Sequence, residues 1–314
     1  MSGENPKTVI VTGAASGIGF ACVQGLLAAG DRVCGADLQP VPAERLSADA
    51  GRFLEVRANV ADDANCRDVV ARTVEAFGRP HGMIHMAAAH STLTWRELTP
   101  EHFNQILAVN VTGSFLMARA VAEHMAEGGA IVLTSSGSIN VGGVGGHGRG
   151  GPAYVSSKAA IIGLTRALAR SLAPRGIRVN AVSPGSTDTA MTADYDEEAR
   201  RKVAERTLLG RIGDPKDIAA VAQFLETISD HFRAIIVEPE PINESAFSWI
   251  TKNARTRIAR LRLRGHCSNF NKRKSERFPR RQGDAVFIQT SREPDAMPEI
   301  QSERRHRRRR VSRF

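Results

Sequence analysis

The chain has 314 residues, 42% of them hydrophobic and 24% charged, a composition that is ordinary for a globular protein and allows one α/β domain with an extension or two domains. No stretch approaches the roughly 18 apolar residues of a membrane span, and the N-terminus lacks the basic and apolar regions of a signal peptide. These features argue against a membrane-spanning or secreted protein, and we expect a cytoplasmic one.

The net charge of +10 is concentrated at one end of the chain. Residues 1–227 contain 22 Lys and Arg against 23 Asp and Glu, whereas residues 228–314 contain 21 against 10. Such a break in composition indicates a boundary in the organisation of the chain.

The four cysteines and nine histidines show no spacing typical of a metal site or a disulfide framework. We therefore expect no bound metal. Reduced and mostly buried thiols are the ordinary state of such cysteines.

A glycine-rich turn at residues 12–19 lies between an apolar strand and an apolar helix, with glycines at positions 13, 17 and 19. Glycines let the backbone turn sharply and approach a pyrophosphate, and the free N–H groups of the helix start face the anion. Short glycine patterns also occur in ordinary strand-to-helix turns, so the pattern alone leaves both interpretations open.

Strands and helices alternate from the first strand to about residue 226. The predicted strands are residues 9–11, 32–37, 53–56 with 59–60, 83–89, 130–134 and 177–182. The predicted helices are residues 20–27, 62–77, 99–125, 152–172, 192–206 and 215–225. This alternation indicates an α/β fold with a doubly wound parallel sheet.

Asp37 ends the second predicted strand, about twenty residues beyond the glycine turn. A carboxylate at this position can accept both ribose hydroxyls of a dinucleotide and would repel a 2′-phosphate, which favours NAD over NADP. No Arg or Lys lies next to it in the sequence, although an acid in a solvated loop remains the alternative.

The segment 137–151 contains eight glycines among fifteen residues and is predicted to be a long loop without a regular element. Long loops beside the polar ends of strands often belong to active sites. His147 and Arg149 are its chemically capable side chains, with solvated loop residues as the alternative.

Tyr154 and Lys158 are four residues apart near the start of one predicted helix, so they share a face. A phenol is a poor base at neutral pH, but an adjacent ammonium favours its phenolate and makes it a usable general acid/base. A purely structural pair at this spacing is the alternative.

Taken together, the motifs resemble the short-chain dehydrogenase/reductase family over residues 6 to about 226. The similar motifs are Thr12-Gly13-x-x-x-Gly17-x-Gly19, Asp37, Asn110, Ser136, Tyr154-x-x-x-Lys158 and Pro184-Gly185-x-x-x-Thr189. The resemblance implies a single Rossmann-type domain that transfers a hydride between a nicotinamide cofactor and an alcohol or carbonyl carbon.

The resemblance also implies roles for individual residues. Tyr154 would exchange the proton with the substrate oxygen, and Ser136 would hydrogen-bond that oxygen. Lys158 would hold the nicotinamide ribose and lower the pKa of Tyr154, and Asn110 would hold a water that links Lys158 to solvent. The implied cofactor contacts are Gly13, Ser16, Gly17, Ile18 and Gly19 around the pyrophosphate, Asp37 and Leu38 at the ribose, Asn59 and Val60 at the adenine, Ala87, Tyr154, Lys158, Pro184 and Gly185, and Thr187 and Thr189 at the carboxamide.

The sequence departs from the family pattern at two places within this region. The usual Asn-Asn-Ala-Gly is replaced by His85-Met86-Ala87-Ala88, which removes a sheet-stabilising asparagine and slightly crowds the cofactor. The loop between Ser136 and Tyr154 is longer than is common. Neither change removes a catalytic group.

Residues 227–314 are the largest departure, and they end in an arginine-rich run. The family usually continues through a seventh strand near an Asp-Gly-Gly, and residues 235–238 could still supply that strand. Three interpretations remain: an altered reading frame, an evolved basic extension for nucleic acid or an anionic surface, and a disordered tail. Within residues 249–261, one face of a basic helix could be formed by Trp249, Ile250, Ala254, Ile258 and Leu261.

Two functional hypotheses follow. The first is an NAD-dependent dehydrogenase or ketoreductase that pairs into a homodimer or homotetramer through the helices near residues 101–125 and 154–172. The second is a catalytically impaired dinucleotide-binding protein whose basic tail binds nucleic acid or an anionic surface.

Overall fold

The computed structural model describes residues 6–46, 50–142, 150–205, 207 and 209–227, together with the backbone of 235–238 and 286–289. The strands are β1 (Thr8–Thr12), β2 (Arg32–Asp37), β3 (Phe53–Arg57), β4 (Gly82–His85), β5 (Ala130–Thr134), β6 (Arg178–Val182), β7 (Ile235–Glu238) and β8 (Val286–Gln289). They form one sheet in the order β3-β2-β1-β4-β5-β6-β7-β8, and every neighbouring pair is parallel.

Helices cover both faces of this sheet. They are α1 (Gly17–Ala28), α2 (Asp63–Phe77), α3 (Pro100–Leu107), α4 (Gly113–His124), α5 (Ser138–Val141), α6 (Pro152–Leu172), α7 (Glu197–Glu205) and α8 (Pro215–Thr227). Helices α1 and α8 pack together on one face, and α2, α4 and α6 lie on the other. The doubly wound parallel sheet predicted from the sequence is therefore confirmed.

Two apolar cores separate along the central strands, because successive side chains of a strand point to opposite faces. In β1, Ile10 belongs to the core under α2, α4 and α6, while Val9 and Val11 belong to the core under α1 and α8. All three side chains are fully buried. Burial on both faces explains why the central strands are continuous apolar runs rather than alternating ones.

The fourth strand is shorter than predicted and ends at His85 rather than at residue 89. The side chain of Asn110 explains the early end: its Oδ1 accepts from the backbone N–H of Ala89 at 2.7 Å, and its Nδ2 donates to the carbonyl of Ala89 at 2.9 Å. These bonds satisfy the backbone of residue 89 without a strand partner. Asn110 itself lies in a π-helical turn, Ala108–Thr112, that joins α3 to α4 within the predicted helix at 99–125.

The glycine-rich loop is more ordered at its start than the sequence predicted. Residues 138–141 form the short helix α5, which ends at Gly142 with φ of +78°. A left-handed residue at this position is a common helix stop that glycine adopts without steric cost. His147 and Arg149 lie outside the described residues.

The sheet continues beyond residue 226. Residues 235–238 form β7, parallel to β6, so the possibility that this segment supplies a strand is confirmed. The strand β8 pairs with β7. The remaining residues of 228–314, including Cys267 and the predicted helical face at 249–261, lie outside the described residues.

One helical run, Pro100–His124, is long and apolar enough to cross a membrane by length and composition, which the sequence analysis did not anticipate. Half of its most apolar window is buried inside the protein. Within the fold, α3 packs against α6, and α4 packs against α2. The apolar side chains of this run therefore contribute to the core beneath the sheet.

Candidate active site

An open cleft lies at the carboxyl ends of the strands, where the strand order reverses between β1 and β4. Ligands of doubly wound sheets bind at such switch points, because the connections on either side leave in opposite directions. The cleft has a volume of about 820 Å³. The predicted site residues that line it are Gly13, Ser16, Gly17, Ile18, Gly19, Asp37, Leu38, Asn59, Val60, Ala87, Ser136, Tyr154, Lys158, Pro184, Gly185, Thr187 and Thr189.

The glycine turn is packed so tightly that side chains are excluded from it. A Cβ at Gly13, where φ is +70°, would lie 2.7 Å from the backbone nitrogen of Ala87, and a Cβ at Gly19 would lie 1.9 Å from the carbonyl oxygen of Gly13. Both obstacles are backbone atoms. The backbone of the turn, which lines one half of the cleft, can therefore adopt this conformation only with glycine at positions 13 and 19.

The start of α1 faces the cleft without a capping side chain or an acidic residue in its own first turn. Ser16 occupies the N-cap position, yet its side chain makes no capping hydrogen bond, and the first turn carries no acidic residue. Ser16, Gly17 and Ile18 all line the cleft. Free backbone N–H groups and the helix dipole at this point suit a phosphate group.

Asp37 closes the same half of the cleft at the end of β2. Its Oδ2 accepts from the backbone N–H of Ala15 at 3.0 Å, and its Oδ1 accepts from that of Gln39 at 3.0 Å. These bonds fix the carboxylate while leaving acceptor positions free for hydroxyl groups. Among the described lining residues, Asp37 is the one carboxylate.

The guanidinium-bearing residue Arg57 lies beside Asp37 in the fold, although no Arg or Lys is its neighbour in the sequence. Arg57 of β3 is in register with Asp37, and its Nε donates to the carbonyl of Leu38 at 3.1 Å. Sequence neighbours alone could not reveal it, because the pairing crosses from one strand to the next. Arg57 does not belong to the residues that line the cleft.

Tyr154, Ser136 and Lys158 meet in the opposite half of the cleft. Helix α6 carries Tyr154 and Lys158 one turn apart, and Ser136 follows the end of β5. Ser136 lies close enough to Tyr154 to favour its ionised form. The Nζ of Lys158 donates to the carbonyl of Thr134 at 3.0 Å and lies 5.8 Å from the centre of the Tyr154 ring. This arrangement places a phenol, a hydroxyl and an ammonium group around one point.

Burial dominates the protonation of this group of side chains. It raises the pKa of Tyr154 above its usual value, although the neighbouring Ser136 acts in the opposite direction. Burial also lowers the pKa of Lys158 to about 8. The sequence-based expectation of a depressed Tyr154 pKa is thus not met, because desolvation disfavours the charged forms of both side chains.

Asn110 lies behind the cleft rather than on its wall. Its Nδ2 donates to the Oγ of Ser157 at 2.9 Å as well as to Ala89, so both amide hydrogens are engaged. A water bridging towards Lys158 would therefore have to bind an oxygen of Asn110. That water-holding role remains a prediction.

His85 occupies the place of the asparagine usual in the family pattern. It is 1% exposed, and its Nδ1 is hydrogen-bonded to the Oγ1 of Thr12 at 2.8 Å, so a link between β1 and β4 is retained. Its Nε2 has no hydrogen-bond partner among the described residues. Burial, with a smaller contribution from the charge of Lys158, lowers the pKa of His85 to about 3 and keeps the ring neutral.

The segment after β6 forms the wall nearest to Gly17. The Oγ1 of Thr189 accepts from the backbone N–H of Thr192, which leaves its own hydroxyl hydrogen free to donate. A Cβ at Gly17 would lie 3.0 Å from the Cγ2 of Thr189. Gly17 therefore lets the two walls of the cleft approach each other.

The half of the cleft around Tyr154, Ser136 and Lys158 is the candidate catalytic half, and the polar residues there that the sequence analysis missed include His90 and Tyr195. His90 packs edge to face on Tyr154, and Tyr195 is close enough to disfavour ionisation of the same phenol. A signal existed for each: His90 follows the carboxyl end of a parallel strand, and Tyr195 is the second of only two tyrosines.

The described residues fit a dinucleotide better than a metal. The cleft joins a helix start suited to an anion and a carboxylate suited to hydroxyl groups to a buried ammonium group at the other end. No group of three His, Cys, Asp or Glu side chains within the described ranges could hold a metal ion.

Comparisons with known proteins agree with this geometry. A family model described as enoyl-(acyl carrier protein) reductase matches residues 13–238. The 2,5-dichloro-2,5-cyclohexadiene-1,4-diol dehydrogenase of Sphingobium indicum is 36% identical over 233 residues, 72% of this chain and 91% of the relative. The 2-(R)-hydroxypropyl-CoM dehydrogenase of Xanthobacter autotrophicus is 38% identical over 229 residues, 70% of this chain and 90% of the relative.

Solved structures agree as well. A short-chain dehydrogenase/reductase from Serratia marcescens superposes with a TM-score of 0.66 at 29% identity, covering 74% of this chain and 97% of the other.

Proposed function

The chain belongs to the short-chain dehydrogenase/reductase family of oxidoreductases, and we propose that it transfers a hydride between NAD(H) and an alcohol or carbonyl carbon. One observation carries the proposal: a single cleft holds the glycine turn, Asp37 and the cluster of Tyr154, Ser136 and Lys158. The family implies a nicotinamide dinucleotide, which supplies the hydride acceptor or donor when bound.

The catalytic half of the cleft supports proton transfer at the substrate oxygen. Tyr154 donates its phenolic proton to that oxygen in carbonyl reduction and removes it in alcohol oxidation. Ser136, which lies beside Tyr154, donates to the same oxygen and stabilises the charge that develops there. One N–H of Lys158 donates to the carbonyl of Thr134. Its remaining N–H groups would hold the nicotinamide ribose.

Specificity for NAD over NADP is part of the proposal and rests on Asp37. Its carboxylate lines the cleft and is held by two backbone N–H groups, so a 2′-phosphate would meet a fixed negative charge. Arg57 is the competing influence, since a guanidinium next to this position could accommodate a phosphate.

The names of two relatives favour alcohol chemistry. One acts on a diol and the other on a hydroxypropyl group, whereas the matching family model carries the name of an enoyl reductase. A tyrosine and a serine that converge on one point suit a substrate oxygen, which is why we propose alcohols and carbonyl compounds as substrates.

The decisive test compares Tyr154→Phe with Tyr195→Phe. Each variant removes one phenolic oxygen from the same cleft, but only Tyr154 is assigned the proton transfer. We expect Tyr154→Phe to lower kcat/KM for reduction of small ketones about 10²–10⁴-fold. Tyr195→Phe should lower it less than about 10-fold. Undiminished turnover by Tyr154→Phe, or turnover of an enoyl thioester alone, would refute the proposed reaction.

Two further parts of the proposal concern assembly and location. We place the enzyme in the cytoplasm as a homodimer or homotetramer that pairs through α4 and α6. Phe115 on α4 supports the pairing surface, since this large apolar side chain is 39% exposed. Sedimentation of the wild type and of Phe115→Asp measures the assembly, and an unchanged mass would exclude this surface.

The domain boundary near residue 226 and the origin of the last residues also remain proposals. The family match reaches residue 238 and includes β7. Nothing in the described residues or in the relatives supports nucleic-acid binding by the tail, so we do not favour a scaffold function. Activity of a chain ending at residue 238, measured beside the full chain, tests whether the later residues contribute.

A further inference from the structure

His90 lies in the catalytic half of the cleft, and the proton transfer does not use it. Its ring packs edge to face on Tyr154, with centroids 4.7 Å apart and an interplanar angle of 79°. The side chain lines the cleft, and no hydrogen bond to either ring nitrogen occurs within the described part of the chain. A polar ring whose nitrogens have no hydrogen-bond partner among the described residues thus borders the proposed position of the substrate oxygen.

The backbone on both sides of His90 is fixed by hydrogen bonds from other elements. Ala89 before it is held at both its N–H and its carbonyl by the side chain of Asn110. After it, the carbonyl of Ser91 accepts from the N–H of Gly151 at 2.7 Å, and the Oγ of Ser91 is bonded to the Nε2 of His102 at 3.0 Å. The backbone that carries the imidazole is therefore fixed, and the ring itself packs against Tyr154, as a preorganised recognition group should.

The charge state of this ring limits what it can recognise. Burial, and to a smaller extent the nearby charge of Lys158, lowers the pKa of His90 below its ordinary value. At neutral pH the ring is then uncharged, with one nitrogen donating and the other accepting. Such a group suits a hydroxyl or a carbonyl oxygen better than a phosphate or a carboxylate, which select cations.

The geometry next to Tyr154 sets where that oxygen is. A hydrogen bond spans about 2.7–3.0 Å, so a substrate oxygen held by Tyr154 and Ser136 lies close to a ring packed against the phenol. A second oxygen within reach of His90 must then be attached near the reacting carbon. The adjacent carbon is the shortest attachment that satisfies both contacts.

We propose that His90 is a specificity-determining residue that hydrogen-bonds a second oxygen on the carbon next to the reacting one. The preferred substrates are then α-hydroxy ketones and, in the reverse direction, vicinal diols. This inference rests on the proposed carbonyl and alcohol chemistry of the same cleft, and it adds a substrate class to it.

The test uses two ketones of nearly equal size, 3-hydroxy-2-butanone and 3-methyl-2-butanone, which differ by a hydroxyl in place of a methyl group. With wild type, kcat/KM for the hydroxy ketone should exceed that for the methyl ketone about 10-fold or more, because a buried polar partner left unpaired rejects the apolar analogue. His90→Phe keeps an aromatic ring against Tyr154 and should bring the two values within about 3-fold of each other by losing activity on the hydroxy ketone alone.

Two more variants separate recognition from packing. His90→Asn restores a donor and an acceptor and should recover part of the preference. His124→Phe changes an exposed histidine at the end of α4 and should leave both values as in wild type. Thermal unfolding of each variant, followed by circular dichroism, shows whether the fold is retained.

The outcomes distinguish this inference from the proposed function. A wild type that reduces both ketones equally well, or a His90→Phe variant that keeps the preference, overturns the role of His90 and leaves the proposed function in place. Equal loss on both ketones in His90→Phe would show that the ring only supports Tyr154, and it overturns the inference as well. Failure of wild type on every ketone and alcohol refutes the proposed function and this inference together.

Discussion

The two halves of the cleft are built in different ways. The half around the glycine turn is formed mainly by backbone atoms. Gly13 donates its N–H to the carbonyl of Ala36 at 2.9 Å, and the backbone of Met86 and Ala87 leaves no room for a side chain at Gly13. The half around Tyr154 is made of side chains, with Ser157 bonded to Asn110 and Lys158 bonded to Thr134. Substitutions that add atoms to the glycine turn should therefore disturb the first half, whereas substitutions that remove functional groups should disturb the second.

This difference assigns binding and chemistry to separate sets of atoms. Backbone N–H groups and a helix start offer a phosphate the same contacts whatever side chains surround them. Proton transfer needs particular functional groups at particular positions, and the groups proposed for it come from helix α6 and from the segment that follows β5. Substitutions should consequently separate cofactor affinity from turnover.

The largest effect is expected for Gly19→Ala in the backbone half. The new Cβ would lie 1.9 Å from the carbonyl oxygen of Gly13, so the turn or the helix start must move. We expect a cost of about 3 kcal/mol, seen as roughly 100-fold weaker binding of NADH in a fluorescence titration. Gly163→Ala on α6 is the control, because no atom lies within 4 Å of its new Cβ. Wild-type affinity in Gly19→Ala would show that the turn does not bind the cofactor.

Asp37→Ser should give the next largest effect and sharpen the description of the backbone half. Removal of the carboxylate loses charge-assisted hydrogen bonds of about 1.5–3 kcal/mol and the repulsion of a 2′-phosphate. The ratio of kcat/KM for NADH to that for NADPH should fall about 10- to 100-fold.

Arg57→Ser tests the opposite influence at the same position. The ratio of kcat/KM for NADH to that for NADPH should rise or stay unchanged in this variant. The reason is that the guanidinium of Arg57, which the variant lacks, is the group that could attract the 2′-phosphate. A wild type that prefers NADPH, with the preference lost in Arg57→Ser, would reverse the assignment of cofactor.

The two halves also differ in how far the sequence predicts them. The glycine turn and Asp37 follow from local rules, since a strand, spaced glycines and a helix define their own geometry. The end of β4 could not be predicted in this way, because it depends on Asn110, twenty-one residues away from Ala89 in sequence. Arg57 and His90 likewise depend on contacts between elements that lie far apart along the chain.

The position of Asn110 shows the same limit within a helix. The periodicity of residues 99–125 predicts one continuous helix, and the apolar face is indeed buried. The π-helical turn that directs Asn110 towards Ala89 leaves no mark in that periodicity. The π-helical conformation accompanies hydrogen bonds between the Asn110 side chain and Ala89. Such tertiary contacts cannot be read from the local sequence pattern.

His85 connects the two halves, and its effect should be smaller and depend on pH. The ring is bonded to Thr12 beside the glycine turn, and the charge of Lys158 reaches it from the catalytic half. In the unfolded chain a histidine has a pKa near 6.5, whereas burial lowers the pKa of folded His85 to about 3. Below pH 6.5 the unfolded state therefore binds a proton that the folded state does not. The stabilisation is complete above that pH and is lost progressively as pH falls towards 3.

This linkage predicts that His85 alone lowers the free energy of unfolding by about 2 kcal/mol between pH 7 and pH 5. His85→Asn keeps a hydrogen-bonding group beside Thr12 but does not titrate, so urea unfolding should show a smaller loss between the two pH values by that amount. His124→Asn replaces an exposed histidine, and its free energy of unfolding should fall between pH 7 and pH 5 by as much as that of wild type. If His85→Asn also loses as much as wild type, the folded protein accepts a proton at His85. The ring would then carry a charge between the two halves of the cleft, and the neutral link between β1 and β4 would have to be abandoned.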